Sequence, residues 1–159
     1  MHSRAKVAAV AIGAMLILSS CSLNASITTS DQYDPSDGTA VAVGDVRALN
    51  ILLVTTAEGE PAALVGALYN DHETADATVT IAVGNTEETY EIAPMEGVQL
   101  GVAEGTEEFI TIAPTDPGLF SDYTVTVAGA GAATGALPVV DGTLPEYADV
   151  LVDLAVALP

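Results

Sequence analysis

Residues 78–83 and 122–127 each alternate strictly. Val79, Ile81 and Val83 oppose Thr78, Thr80 and Ala82, and Tyr123, Val125 and Val127 oppose Thr124 and Thr126. A period of two places one set of side chains on each face of an extended chain, so both segments read as strands with one buried and one solvated face. Antiparallel sheets meet that requirement, because parallel sheets are covered on both sides. Seven further runs share the β composition: 39–43, 46–55, 62–69, 89–92, 98–102, 108–113 and 135–140. Turn signals separate them, including Gly44-Asp45, Glu58-Gly59-Glu60-Pro61, Pro94-Met95-Glu96-Gly97 and Asp116-Pro117-Gly118. Short strands at this spacing predict an all-β sandwich or barrel. The tail over 149–159 is ambiguous. Tyr147, Val150, Leu151, Leu154, Ala155 and Leu158 would share one helical face, which favours a short helix over an extended end.

The amino terminus has a different pattern. Arg4 and Lys6 precede the uncharged stretch 7–18, twelve residues long, which suits the apolar region of a signal peptide and is too short to cross a bilayer. Leu18-Ser19-Ser20-Cys21 resembles the bacterial lipobox. The resemblance implies a signal peptide over 1–20, a thioether-linked diacylglycerol on Cys21, acylation of its new amino group, and a lipid bilayer as first partner. A serine at that position would be a far weaker nucleophile. Two acyl chains anchor stably where one is marginal, so the mature chain is expected on the extracytoplasmic face of the cell membrane without crossing it. Cys21 is the chain's one cysteine, so no disulfide supports the fold. Residues 21–38 read as a flexible acidic linker. The spacing of Asp31, Asp34 and Asp37 does not match a calcium loop.

Arg47 is the only Lys or Arg after Cys21, against 22 Asp and Glu, so the mature chain carries a formal charge of −21. Nucleic acid is excluded as a partner, since phosphate contacts need Lys and Arg. Adsorption onto anionic headgroups is disfavoured for the same reason.

Catalytic and cofactor signals are poor. Gly129-Ala130-Gly131-Ala132-Ala133-Thr134-Gly135 imitates a dinucleotide fingerprint, but its third glycine is one place late and Leu137-Pro138 stands where a helix should open. It is expected to be a flexible hairpin loop. His72 sits in the polar turn Asn70-Asp71-His72-Glu73 and is expected to be exposed. Ser121, the only serine beyond Ser36, lacks a nucleophile-elbow context. No catalytic residue and no cofactor are assigned, and the chain is not expected to be an enzyme.

Val46–Asn50 (VRALN), Ala62–Ile81 (AALVGALYNDHETADATVTI) and Leu137–Ala148 (LPVVDGTLPEYA) resemble small actinobacterial lipoproteins of the LpqE-like group. That group is in turn similar to periplasmic copper chaperones of the PCuAC type. The resemblance implies an antiparallel β-sandwich of the immunoglobulin-like/cupredoxin-like kind over 39–148, with Asn70 and Asp76 capping a hairpin. The chaperones bind copper through two His and two Met. The matching stretch here, Gly105-Thr106-Glu107-Glu108-Phe109-Ile110, holds neither, which leaves His72 and Met95 as weak candidate ligands. The expectation is a membrane-anchored, non-catalytic β-sandwich that binds an envelope protein or other ligand. A copper carrier is the alternative.

Overall fold

The computed structural model describes residues 36–158. The expected signal peptide, Cys21 and the linker as far as residue 35 lie outside the described residues. Ten strands are followed by one helix: β1 (Thr39–Val43), β2 (Val46–Thr55), β3 (Pro61–Asn70), β4 (Ala77–Val83), β5 (Thr86–Ile92), β6 (Gly97–Gly101), β7 (Glu107–Glu108), β8 (Ile110–Ile112), β9 (Phe120–Val127), β10 (Gly131–Val140) and α1 (Pro145–Ala157).

The strands build a β-sandwich. One layer runs β5-β4-β9-β10 and the other β2-β3-β6-β7, with β1 added to β2 and β8 to β3. Strand β10 joins the layers. It pairs antiparallel with β9 over residues 131–138, then lies parallel to β2, with Val139 opposite Leu53 and Val140 opposite Val54. Pro138 stands at the change of partner, where its missing N–H costs no ladder bond within a central strand. The two alternating segments behave as their pattern requires. Val79, Ile81 and Val83 from β4 and Tyr123, Val125 and Val127 from β9 enter one core with Val46, Ile51, Leu53, Leu64 and Leu68 of the other layer. On the outer face, threonine hydroxyls pair across strands, Thr80 with Thr89 at 2.9 Å and Thr124 with Thr134 at 3.1 Å.

Strand β2 has a bulge that explains its unbroken apolar run. Its register with β3 passes from Leu49 opposite Ala67 to Leu52 opposite Val65, so Asn50 and Ile51 together face Gly66. Asn50 takes a left-handed φ of 52°. A Cβ on Gly66 would stand 2.6 Å from Ile51 Cδ1, so only glycine fits beneath the bulge. The extra residue reverses the facing. Val46 and Ala48 point into the core before it, and Ile51 and Leu53 after it. Leu52 and Val54 therefore turn outward, yet both are buried, as is Ala63 beside them on β3. Helix α1 covers them: it packs on β2 and β3 and buries Leu154 outside the main core. Each such Leu or Val removed from water stabilises the fold by about 1.5–3 kcal/mol.

Helix α1 opens with Pro145 in its first turn, after Leu144 in an extended conformation, and starts ahead of the expected 149. Leu154 is buried and Tyr147, Val150, Leu151 and Leu158 are half-buried, whereas Ala155, expected inward, is exposed. Two other expectations are corrected. The run 108–113 is split, because Phe109 turns fully into the core between β7 and β8, where its carbonyl accepts the Leu64 N–H at 3.0 Å. The Gly/Ala run 129–135 is not a loop. Only residues 128–130 turn, and β10 begins at Gly131, held by its ladder to β9. The folded domain also begins just before β1. The Gly38 N–H donates to Asn50 Oδ1 at 2.9 Å, and Gly38 is buried against the bulge.

Candidate functional site

The loops at one end of the sandwich meet at Asn70, the last residue of β3. It is fully buried. Its Nδ2 donates to the carbonyls of Ala75 (2.9 Å), Ile92 (3.1 Å) and Ala93 (3.3 Å), and its Oδ1 accepts the His72 N–H at 3.0 Å. Its own N–H reaches Glu96 O at 2.9 Å. One amide thus ties the β3–β4 loop to the β5–β6 turn, which gives Asn70 the capping role expected of it. Asp76 stays exposed, and the internal side-chain bonds of the loop come from Asn70 and His72.

His72 is exposed, as its polar setting implied, but its ring has a local task. Nδ1 accepts the N–H groups of Thr74 (3.1 Å) and Ala75 (3.0 Å) and closes the turn. That geometry assigns the proton of the neutral ring to Nε2 and leaves Nε2 as the nitrogen open to solvent. Met95 lies on the adjoining β5–β6 turn, half-exposed at 53% and in a left-handed conformation with φ 58°. The Tyr69 hydroxyl donates to its carbonyl at 2.8 Å. The two candidate ligands therefore sit on neighbouring loops joined through Asn70. Residues 105–110 bring no third one. Phe109 is in the core and Glu107 and Glu108 are exposed. Among the described residues, no three His, Cys, Asp or Glu side chains are grouped to hold a metal.

A cleft of about 250 Å³ opens beside this loop, bordered by Gly44, Asp45, His72, Asp76 and Gly129. Next to it, Arg47 forks onto Asp71. Nη2 donates to Oδ1 at 2.8 Å and Nε donates to Oδ2. The guanidinium also lies over the Tyr69 ring, 5.4 Å from its centroid, as the cross-strand neighbour of that residue. The hydrogen bond from Arg47 holds the Asp71 carboxyl below its usual range, and the same contact raises Arg47. The signal for this cluster was visible, since Arg47 is the lone cation after Cys21, but strand register was needed to place Tyr69 and Asp71 around it.

Among the described residues, no Ser–His pair forms. Ser121 lies at the start of β9, while Val127 at its far end borders the His72 cleft. Six residues of strand correspond to about 20 Å. Among the described residues, no helix is long and apolar enough to cross a membrane.

No family model and no curated protein matches the chain. Solved structures do. A copper-bound PCuAC domain from PmoF2 superposes with a TM-score of 0.50 at 20% identity, covering 65% of this chain and 98% of that one. An apo PCuAC domain from PmoF1 gives 0.51 at 18% identity, covering 65% and 99%. What is shared is the fold. At these identities the likeness extends to the β-sandwich and not to its ligands.

Proposed function

We propose that the chain is a cell-envelope lipoprotein, anchored through acylated Cys21, whose β-sandwich is a non-catalytic binding module for an envelope protein. The observation that carries this reading is a scaffold like that of domains with a binding task, closed at one end by the Asn70-tied loops. Its amino-terminal half rests on the positively charged start, the twelve-residue apolar stretch and the single cysteine that ends them. Metabolic labelling with a radioactive fatty acid tests the anchor. Label should enter the wild type, and Cys21→Ser should accumulate as unlabelled precursor. Label in that variant would overturn the anchor.

A copper carrier is the second reading, favoured by His72 and Met95 on adjoining loops and by the copper-bound state of one structural neighbour. One imidazole nitrogen and one thioether are half of a soft four-ligand shell, and carboxylates are poor partners for Cu(I). The chain is expected to give up Cu(I) to a moderate competing chelator. One equivalent retained, and lost in both His72→Ala and Met95→Ala, would replace the first reading with this one.

A further inference from the structure

Among the described residues, most of the large apolar side chains left exposed lie on α1, just before it, or beside the turn that faces its start across a cleft. Val156 is 81% exposed and Phe120 67%, with Val152, Leu144 and Leu119 also open to solvent. Between the helix start and the turn before β9 runs a cleft of about 450 Å³, with Leu144, Tyr147, Val139 and Val140 among its apolar walls. Its charged groups are Asp37 and Asp141. Asp37 accepts the Tyr147 hydroxyl at 2.7 Å, and Asp141 accepts the Thr143 N–H at 2.9 Å, contacts that fix both carboxylates in place. On the helix, Asp149 shares the outward face with Val152 and Val156, three and seven residues on. Among the described residues, no lysine or arginine answers these acids, because Arg47 lies seven residues back along β2 from Val54 and is held by Asp71.

The charge selects the occupant. A second copy would set carboxylate against carboxylate, and anionic lipid headgroups would be repelled in the same way. A polypeptide with apolar side chains ringed by Lys and Arg satisfies both halves of the surface. The stem of one such side chain fits the apolar walls of the cleft while its cation reaches Asp37 and Asp141. We infer that the face formed by α1, the Asp37–Asp141 cleft and Phe120 docks a basic partner protein. This rests on the binding-module reading and gives it a surface and a partner chemistry.

A photo-cross-linking amino acid placed at Val156, and separately at Glu88 on the exposed strand β5, tests it in cells producing the full chain. Position 156 should capture one protein through a Lys/Arg-rich segment, and position 88 should not. The adduct should disappear in Asp141→Lys/Asp149→Lys, with an unchanged melt showing that the variant folds. Affinity for the purified captured protein should fall about tenfold or more between low and high salt. Capture of lipid, of a second copy or of an acidic segment at 156 would overturn the inference. Capture at 88 alone would overturn it while sparing the binding module, and no capture at either position would count against both.

Discussion

The ring of Tyr123 occupies the space where Gly135, its partner across the β9–β10 ladder, would carry a Cβ. Such an atom would stand 2.5 Å from Cε1 and 2.7 Å from Cζ. Tyr123 is fully buried, its hydroxyl lies 3.4 Å from Thr39 Oγ1, and the Thr39 hydroxyl donates to the Ala136 carbonyl. The glycine is therefore the condition for placing the largest side chain of the core. Gly135→Ala should lower stability by about 1–3 kcal/mol through overpacking. Urea melts check this. The loss should shrink in Tyr123→Leu/Gly135→Ala relative to the sum of the single changes, and strict additivity would separate the two residues.

The Asn70 side chain ties two loops with four hydrogen bonds, so its removal strands the carbonyls of Ala75, Ile92 and Ala93 and the His72 N–H at once. Asn70→Ala should cost about 3 kcal/mol or more. Asn70→Asp should be no milder, because it turns an acceptor toward the carbonyls of Ala75, Ile92 and Ala93. Denaturant unfolding of both variants is the measurement, and a harmless Asn70→Asp would contradict the assigned bonds.

Leu154 is the buried centre of the helix–sheet contact. Leu154→Ala should destabilise by about 2–5 kcal/mol, and Val156→Ala, at an exposed site two residues on, by much less. Equal losses would mean that α1 does not cover β2 and β3 in solution.

Two tyrosines should titrate late. Partial burial, then the negative charges of Glu88 and Glu107, push Tyr90 up to about 12. Burial, then the hydrogen bond with Asp37, does the same for Tyr147. A phenol whose folded pKa exceeds its unfolded value of 10.0 contributes stability that is complete below pH 10 and is lost as pH rises through about 12. Phenolate absorbance should show a late-titrating fraction that Tyr90→Phe and Tyr147→Phe each reduce, and the alkaline loss of stability should fall within that window.

Strands were the most legible part of the chain, because a half-buried strand writes its facing directly into sequence. The inward sets of β4 and β9 follow from that rule, and the bounds of β1 and β2 from their β composition and the turn at Gly44-Asp45. The run ILLVT of β2 could not disclose its facing, since the left-handed Asn50 reverses parity and α1 buries the outward set as well. Gly131 to Gly135 misled for a related reason. Small residues signal a turn locally, yet these form the first half of β10, and Gly135 among them makes room for Tyr123. At the loop end, His72 and Met95 were named from residue type alone. The amide that links their loops depends on contacts between residues 22 and 23 apart, and the turn-closing bonds of the imidazole on a local loop conformation that residue type does not disclose.

The covering of β2 and β3 by α1 bears on how the protein is made. The helix follows the ten described strands, so while the chain emerges vectorially during synthesis, Leu52, Val54 and Ala63 wait for a cover not yet made. During that interval the sandwich presents a bare apolar sheet face, the kind of surface on which nascent chains stick to one another. The dense negative charge of the flanking segments then acts as a built-in solubiliser. Maturation of this protein should be limited by arrival of the helix and not by formation of the sheet.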